Sequence, residues 1–287
     1  MLVATTAMLS GIGGAAMFTP IFLIVFPLLG PEYVLESTVA AIGVALLTET
    51  FGFSSGFVGY FRKRLIDFRS SLPFIAVAVP VAVTGALVSH LANGTVLKAA
   101  YAVLMMILAI IMIKHKHSLA ETGPVVGEAS VGAADARPTR TITARDGTVY
   151  QFRAPHQGKG AAATGLGAFL TGMVSVGIGE VIMPQLAKRN RVPIPVAAAT
   201  SVFVVIVTVA SASFMQISQM VAEGGMVAVP WNLVIYTVPG VIIGGQIGPW
   251  LQGKISHDVM ERAIGILFAA ISLSMVWLVI TGVQGGH

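Results

Sequence analysis

Apolar residues run along this chain in eight blocks, at about 2–29, 33–60, 72–92, 96–113, 160–187, 193–222, 226–252 and 258–281. A helix crosses the roughly 30 Å hydrocarbon layer of a bilayer in about 20 residues. The 30 residues between Glu223 and Lys254 carry no charge, and neither do the 25 that follow Arg262. The blocks form two groups of four around a polar insert, which divides the chain into units 1–113, 114–159 and 160–287. The centre of the insert, TRTITARDGTVYQFRA (Thr139 to Ala154), alternates in polarity around Asp146-Gly147. That pattern predicts a β-hairpin with a tight turn. Its flanks, rich in Gly, Ala, Pro and Ser, read as flexible connections.

Composition narrows the class. Of the 287 residues, 55% are apolar and 10% charged, and the mean hydropathy is +0.86. A soluble domain carries about a quarter charged residues, so soluble enzymes and nucleic-acid binders are excluded and a polytopic membrane protein is expected. The net charge of +5 then reads as the Lys and Arg excess of cytoplasmic loops. With no Cys in the chain, disulfides, thiolate metal sites and cysteine nucleophiles drop out. The opening MLVATTAMLS has no basic region, so no cleavable signal peptide is expected. There is no phosphate-binding Walker loop for ATP, no motif calling for a cofactor or metal, and no nucleophile motif of an enzyme.

The placement of the 17 Lys and Arg separates two topologies. If all eight blocks simply cross, the cations divide 11 to 6. If blocks one and five are re-entrant hairpins, the division is 16 to 1, with Lys98 alone on the far side. The positive-inside rule favours the second arrangement and makes the insert cytoplasmic, with both termini outside. Each proposed hairpin contains a glycine cluster: Ser10-Gly11-Ile12-Gly13-Gly14 in the first, Gly177-Ile178-Gly179-Glu180 in the second. Clustered Gly weakens a helix and lets the chain turn. The same glycines would also suit plain close packing of helices.

The halves echo each other. GIG at 11–13 returns at 177–179, Pro20 as Pro184, Ser37-Thr38 as Thr200-Ser201, and Pro80 with Gly85 as Pro239 with Gly244. One hairpin plus three crossings is an odd number, so the second copy would enter the membrane upside down. The expected fold is an all-α polytopic membrane protein of two inverted repeats, each a broken hairpin plus three transmembrane helices, with a small cytoplasmic β-hairpin insert. Such repeats with interrupted helices point to a secondary transporter with a midplane site.

GIGG followed by Pro20, its GIGE and Pro184 echo, Tyr60, the basic RKRLIDFR stretch (Arg62 to Arg69) and the 4+4 organisation resemble the TauE/SafE sulfite-exporter family. The resemblance spans nearly everything but the insert. It implies movement of sulfite, sulfoacetate or a related sulfur-containing anion across a bacterial inner membrane. Glu180 departs from the internal pattern, standing where the first copy has Gly14.

All 17 Lys and Arg lie at block ends or in loops, so a buried anion would rest on backbone N–H groups and hydroxyls. The free N–H groups and positive dipole end of each half-helix suit an anion. The expected binding residues are Ser10, Gly11, Gly13, Gly14, Ser37, Thr38, Gly177, Gly179, Thr200 and Ser201; packing alone would also use such hydroxyls. Intramembrane carboxylates are functional by default, which makes Glu49 and Glu180 the candidates for proton coupling. Gln216 and Gln219 are expected to bridge helices. Lys114-His115-Lys116-His117 reads as a basic flank facing anionic lipid rather than a metal site. Beyond the anion and the lipids, a homodimer is the expected assembly. A channel-like anion permease and a membrane sensor using the insert are the alternatives.

Overall fold

The computed structural model describes residues 1–10, 15–30, 33–35, 37–114, 138–156, 160–251 and 257–281. Gly11, Gly13, Gly14 and the basic run after Lys114 lie outside them. In chain order the helices are α1 (Leu2–Ser10), α2 (Ala15–Pro20), α3 (Thr38–Arg62), α4 (Phe68–Leu91) and α5 (Gly94–Lys114), then α6 (Ala161–Val174), α7 (Ile178–Pro184), α8 (Ile194–Gly224), α9 (Trp231–Leu251) and α10 (His257–Thr281). A wider π turn prolongs α2 through Ile21–Val25, and another prolongs α7 through Gln185–Arg189. Six of these helices (α3, α4, α5, α8, α9 and α10) are long and apolar enough to cross a membrane. They match the six expected crossings, with ends displaced by a few residues.

Block five is broken, as its glycine cluster led us to expect, whereas the cluster of block one, between α1 and α2, lies outside the described residues. The 14 residues of α6 reach about 21 Å, short of a bilayer core. The chain then turns at Ser175–Gly177 and runs back beside α6. Thr164 donates to Gln185 Oε1 at 3.2 Å, and a methyl group on Gly177 would come 2.6 Å from the carbonyl oxygen of Gly167. The turn sits slightly earlier than expected. Ser175 is left-handed at φ 62 and Gly177 has φ 142, whereas Ile178, Gly179 and Glu180 already belong to the first turn of α7. Only Gly accepts φ 142 without a steric cost.

The two halves repeat one element order: two short helices (α1 and α2, α6 and α7) followed by three long ones. Their packing repeats as well. α3 packs on α8 and α5 on α10, while α4 with α8 answers α9 with α3, and α4 with α6 answers α9 with α1. Exchanging the halves maps these contacts onto themselves. The echoed glycines do the same work in each copy. A methyl group on Gly85 of α4 would lie 2.2 Å from Phe169 O of α6, and one on Gly244 of α9 would lie 2.4 Å from Met1 O of α1. In each case the missing side chain lets a long helix touch the first short helix of the other half.

The insert folds as anticipated. β1 (Thr139–Thr143) pairs antiparallel with β2 (Val149–Arg153), Thr141 facing Gln151. Gly147 takes φ 86 in the turn, and Asp146 Oδ1 accepts from the Thr148 amide at 3.0 Å. That hydrogen bond is the main reason the exposed Asp146 carboxyl sits below its usual pKa.

The hairpin is docked rather than tethered. Arg145 N donates to Lys63 O at 3.0 Å, and Arg140 Nη1 lies 2.7 Å from Asp67 Oδ1. Asp67 also caps α4, accepting from Ser70 N at 3.1 Å. The preceding helix closes with a paired exit: Arg64 N donates to Phe61 O at 3.0 Å and Leu65 N to Tyr60 O at 3.4 Å. This motif normally places Gly in the left-handed position. Here Arg64 occupies it at φ 58, at a cost of about 1–2 kcal/mol.

Candidate functional site

The short helices of the two halves meet through Thr19 and Ser175. Thr19, one residue before Pro20, and Ser175, at the second turn, are both buried, with their hydroxyls 2.7 Å apart. Ser175 Oγ donates to Val174 O at 2.6 Å, so the Thr19 hydroxyl is the donor between them. The start of α7 is tied down by Thr171, whose Oγ1 accepts from Ile178 N at 2.7 Å and donates to Gly167 O at 2.9 Å. Glu180 reaches back over the same turn, and its Oε2 accepts from Gly177 N at 3.0 Å. Its other oxygen, Oε1, is buried without a hydrogen-bond partner. The glycine-rich turn therefore does not present free amides at this point, because the chain's own carboxylate holds the first of them.

Glu49, buried in the middle of α3, belongs to the same neighbourhood. The phenol of Tyr101 on α5 lies within electrostatic reach of both Glu180 and Glu49, and it donates to Ala16 O on α2. Electrostatic influence thus links two carboxylates and a phenol from α3, α5 and α7, while two hydroxyls join α2 to the end of α6. Among the buried polar and charged side chains there is no Lys or Arg. Lys98 sits in the first turns of α5, near its end.

The sequence-predicted residues separate into three groups. Gly177 and Gly179 lie at the site with Glu180. Ser10 ends α1, and Gly11, Gly13 and Gly14 lie outside the described residues. The hydroxyl pairs Ser37-Thr38 and Thr200-Ser201 are not brought together. Ser37 is exposed and caps α3, accepting from Ala40 N at 3.0 Å. Thr200 accepts from Asp67 N at 3.0 Å, beyond the other end of that helix. The 25 residues of α3 put about 37 Å between the two places.

Gln216 bridges helices, as expected. Its amide donates to Ser89 Oγ at 2.6 Å and to Gly172 O at 3.2 Å, joining α8 to α4 and α6. Its oxygen therefore takes the proton of His90 Nε2, 2.7 Å away, and His90 Nδ1 faces Glu223 at 3.3 Å. His90, Thr19, Ser175 and Tyr101 were not singled out from the sequence. Only Thr19 beside a proline and Ser175 beside a glycine turn carried any local sign.

Six helices long and apolar enough to cross a membrane, with polar side chains buried between the two halves, define a multi-pass membrane protein. The family is shown by comparison: the chain belongs to the sulfite exporter TauE/SafE family of membrane transporters, whose sequence model matches residues 1–275. It is also similar to the probable membrane transporter protein YunE of Bacillus subtilis (strain 168), 24% identical over 280 residues that cover 96% of this chain and 94% of that protein. No solved structure matches the chain.

Proposed function

We propose that this protein is a secondary transporter that moves sulfite, sulfoacetate or a related sulfur-containing anion, coupled to protons, through a midplane site between the two broken helix pairs. The observation that carries the reading is Glu180: a buried carboxylate with one oxygen on the Gly177 amide and the other unpartnered. In the resting state this carboxylate stands where an external anion would bind. An arriving anion and an ionised Glu180 repel each other. Protonation removes that repulsion and weakens the hold on Gly177 N, so the amide becomes available to the anion, and the Thr19 and Ser175 hydroxyls turn to it from their bonds to each other and to Val174 O. Proton and anion then enter the site together. Glu49, close to Tyr101, is the second coupling carboxylate in this scheme.

The mirrored packing of the halves supports the inverted-repeat reading, in which each half rocks against the other around a fixed site. The 16-to-1 charge division supports a cytoplasmic β-hairpin face and outside termini, and we take the membrane to be a bacterial inner membrane. A homodimer remains the expected assembly.

The test is flux of radiolabelled sulfite and sulfoacetate into proteoliposomes holding the purified protein. Saturable uptake of at least one anion, accelerated by an inward proton gradient, is expected. Absence of both binding and flux for every small sulfur anion tried would overturn the proposal.

A further inference from the structure

A second concave site lies outside the central one, where the β-hairpin docks on the α3–α4 connection. It is a cleft of about 530 Å³ lined by Phe61, Arg62, Arg64, Ile66, Phe68 and Arg145, within the range of small-molecule pockets. Of the six described residues that line it, three are arginines and none is a carboxylate. Two acids adjoin lining residues in the chain: Asp67 is engaged by Arg140 and by the first turn of α4, and Asp146, beside Arg145, accepts from the Thr148 amide. No salt bridge among the described residues involves Arg62, Arg64 or Arg145.

The cleft is held in shape. The Arg145 amide bonds to Lys63 O, which sets one wall against the other. Phe61 and Phe68 stack edge-on at 6.3 Å, and Phe68 packs on Phe203 at 4.9 Å. Both cleft rings remain 56% and 41% exposed, so an apolar surface lies open beside the cations. Arg64 stands in the left-handed position of a helix exit that ordinarily takes Gly. Backbone strain kept at such a position is a sign of a functional demand on the side chain.

From this geometry we infer that the cleft binds a tetrahedral oxyanion, a phosphate or sulfonate, attached to an apolar group. The oxyanion bonds to the arginine forks, and the apolar portion lies on Phe61, Ile66 and Phe68. Two sources offer this chemistry: the headgroup of an anionic phospholipid, since basic pockets between membrane helices bind such groups, and a soluble alkyl sulfonate. The inference is independent of the central site and of which side of the membrane the hairpin faces.

The full-length protein, delipidated in detergent, is titrated with phosphatidylglycerol, with phosphatidylcholine as the neutral control, and separately with hexanesulfonate. Binding is read by native mass spectrometry and calorimetry. Arg64→Gly removes a guanidinium while installing the residue that suits φ 58, so this variant keeps its fold, and Arg145→Gln removes one from the exposed hairpin turn. Arg69→Gln is the control, an exposed neighbour that does not line the cleft.

At least a tenfold loss of anion binding is expected in Arg64→Gly and in Arg145→Gln, with none in Arg69→Gln. Arginine-dependent binding of phosphatidylglycerol alone assigns the cleft to lipid, and of hexanesulfonate alone to a soluble anion. Binding of neither probe, or equal binding by all three variants and the parent, would overturn the inference.

Discussion

Glu180→Gln is expected to lower proton-driven anion uptake about 10- to 100-fold and to flatten its pH dependence, while leaving the protein folded. The first half follows from charge. In the proposed scheme the carboxylate yields its place to the substrate only when protonated, and an amide that never changes charge cannot replace it. The magnitude is that of one charge-assisted hydrogen bond, about 1.5–3 kcal/mol, at tenfold per 1.4 kcal/mol. The second half follows from geometry, because the Gln oxygen still accepts from Gly177 N in place of Glu180 Oε2. Substrate exchange without a proton gradient should survive better than net uptake. The measurement is uptake against pH in proteoliposomes for the parent, Glu180→Gln and Glu49→Gln. A parental pH profile in Glu180→Gln would remove this residue from the coupling mechanism. Glu180→Ala separates the structural share: it strands a buried amide, at about 1–3 kcal/mol of stability.

Gly172→Ala should be the most damaging small substitution in the scaffold. The added methyl group would sit 1.9 Å from Ala82 O and 2.7 Å from Ala86 N, and backbone atoms cannot swing aside as a flexible side chain can. Helix α6 must then move off α4, which also strains the Gln216 bond to Gly172 O. A loss of about 1–3 kcal/mol is expected from such overpacking. Gly244→Ala should behave alike where α9 meets α1. Gly165→Ala is the matched control on α6, since its methyl group would find only Val77 at an ordinary 3.9 Å. Thermal unfolding in detergent checks all three. Equal melting of Gly172→Ala and Gly165→Ala would contradict the close approach of α4 and α6.

What the chain discloses before folding is whatever a short window can encode. Apolar length marks the six crossings, and polarity alternating around Asp146-Gly147 marks the β-hairpin. The glycine cluster marks the second turn to within a few residues. The precise residues of that turn escaped because Ser175, an L-residue in a left-handed conformation, has no compositional signature. The site itself depends on contacts across the chain. Thr19 and Ser175 lie 156 positions apart, and Tyr101 reaches Ala16 across 85.

Symmetry in the sequence also pointed away from the site in one respect. Ser37-Thr38 and Thr200-Ser201 correspond by position, yet one begins α3 and the other lies in the first two turns or so of α8, and the two helices run in opposite directions. Gly43, near the start of α3, lies against Gln216 and Met220, near the end of α8. Corresponding residues at helix starts therefore fall at opposite ends of the bundle. Equivalent positions in oppositely directed helices can meet only near the centre, where Glu49 lies.

The most direct measurement is a structure determined with selenite, a heavier relative of sulfite whose selenium scatters anomalously. The expected result is an anomalous selenium peak beside Ser175 Oγ, Thr19 Oγ1 and the Gly177 amide, with selenite oxygens within hydrogen-bond distance of these groups and the Glu180 carboxyl turned from that amide. A protein that transports selenite yet shows its peak elsewhere, with Glu180 still on Gly177 N, would contradict it.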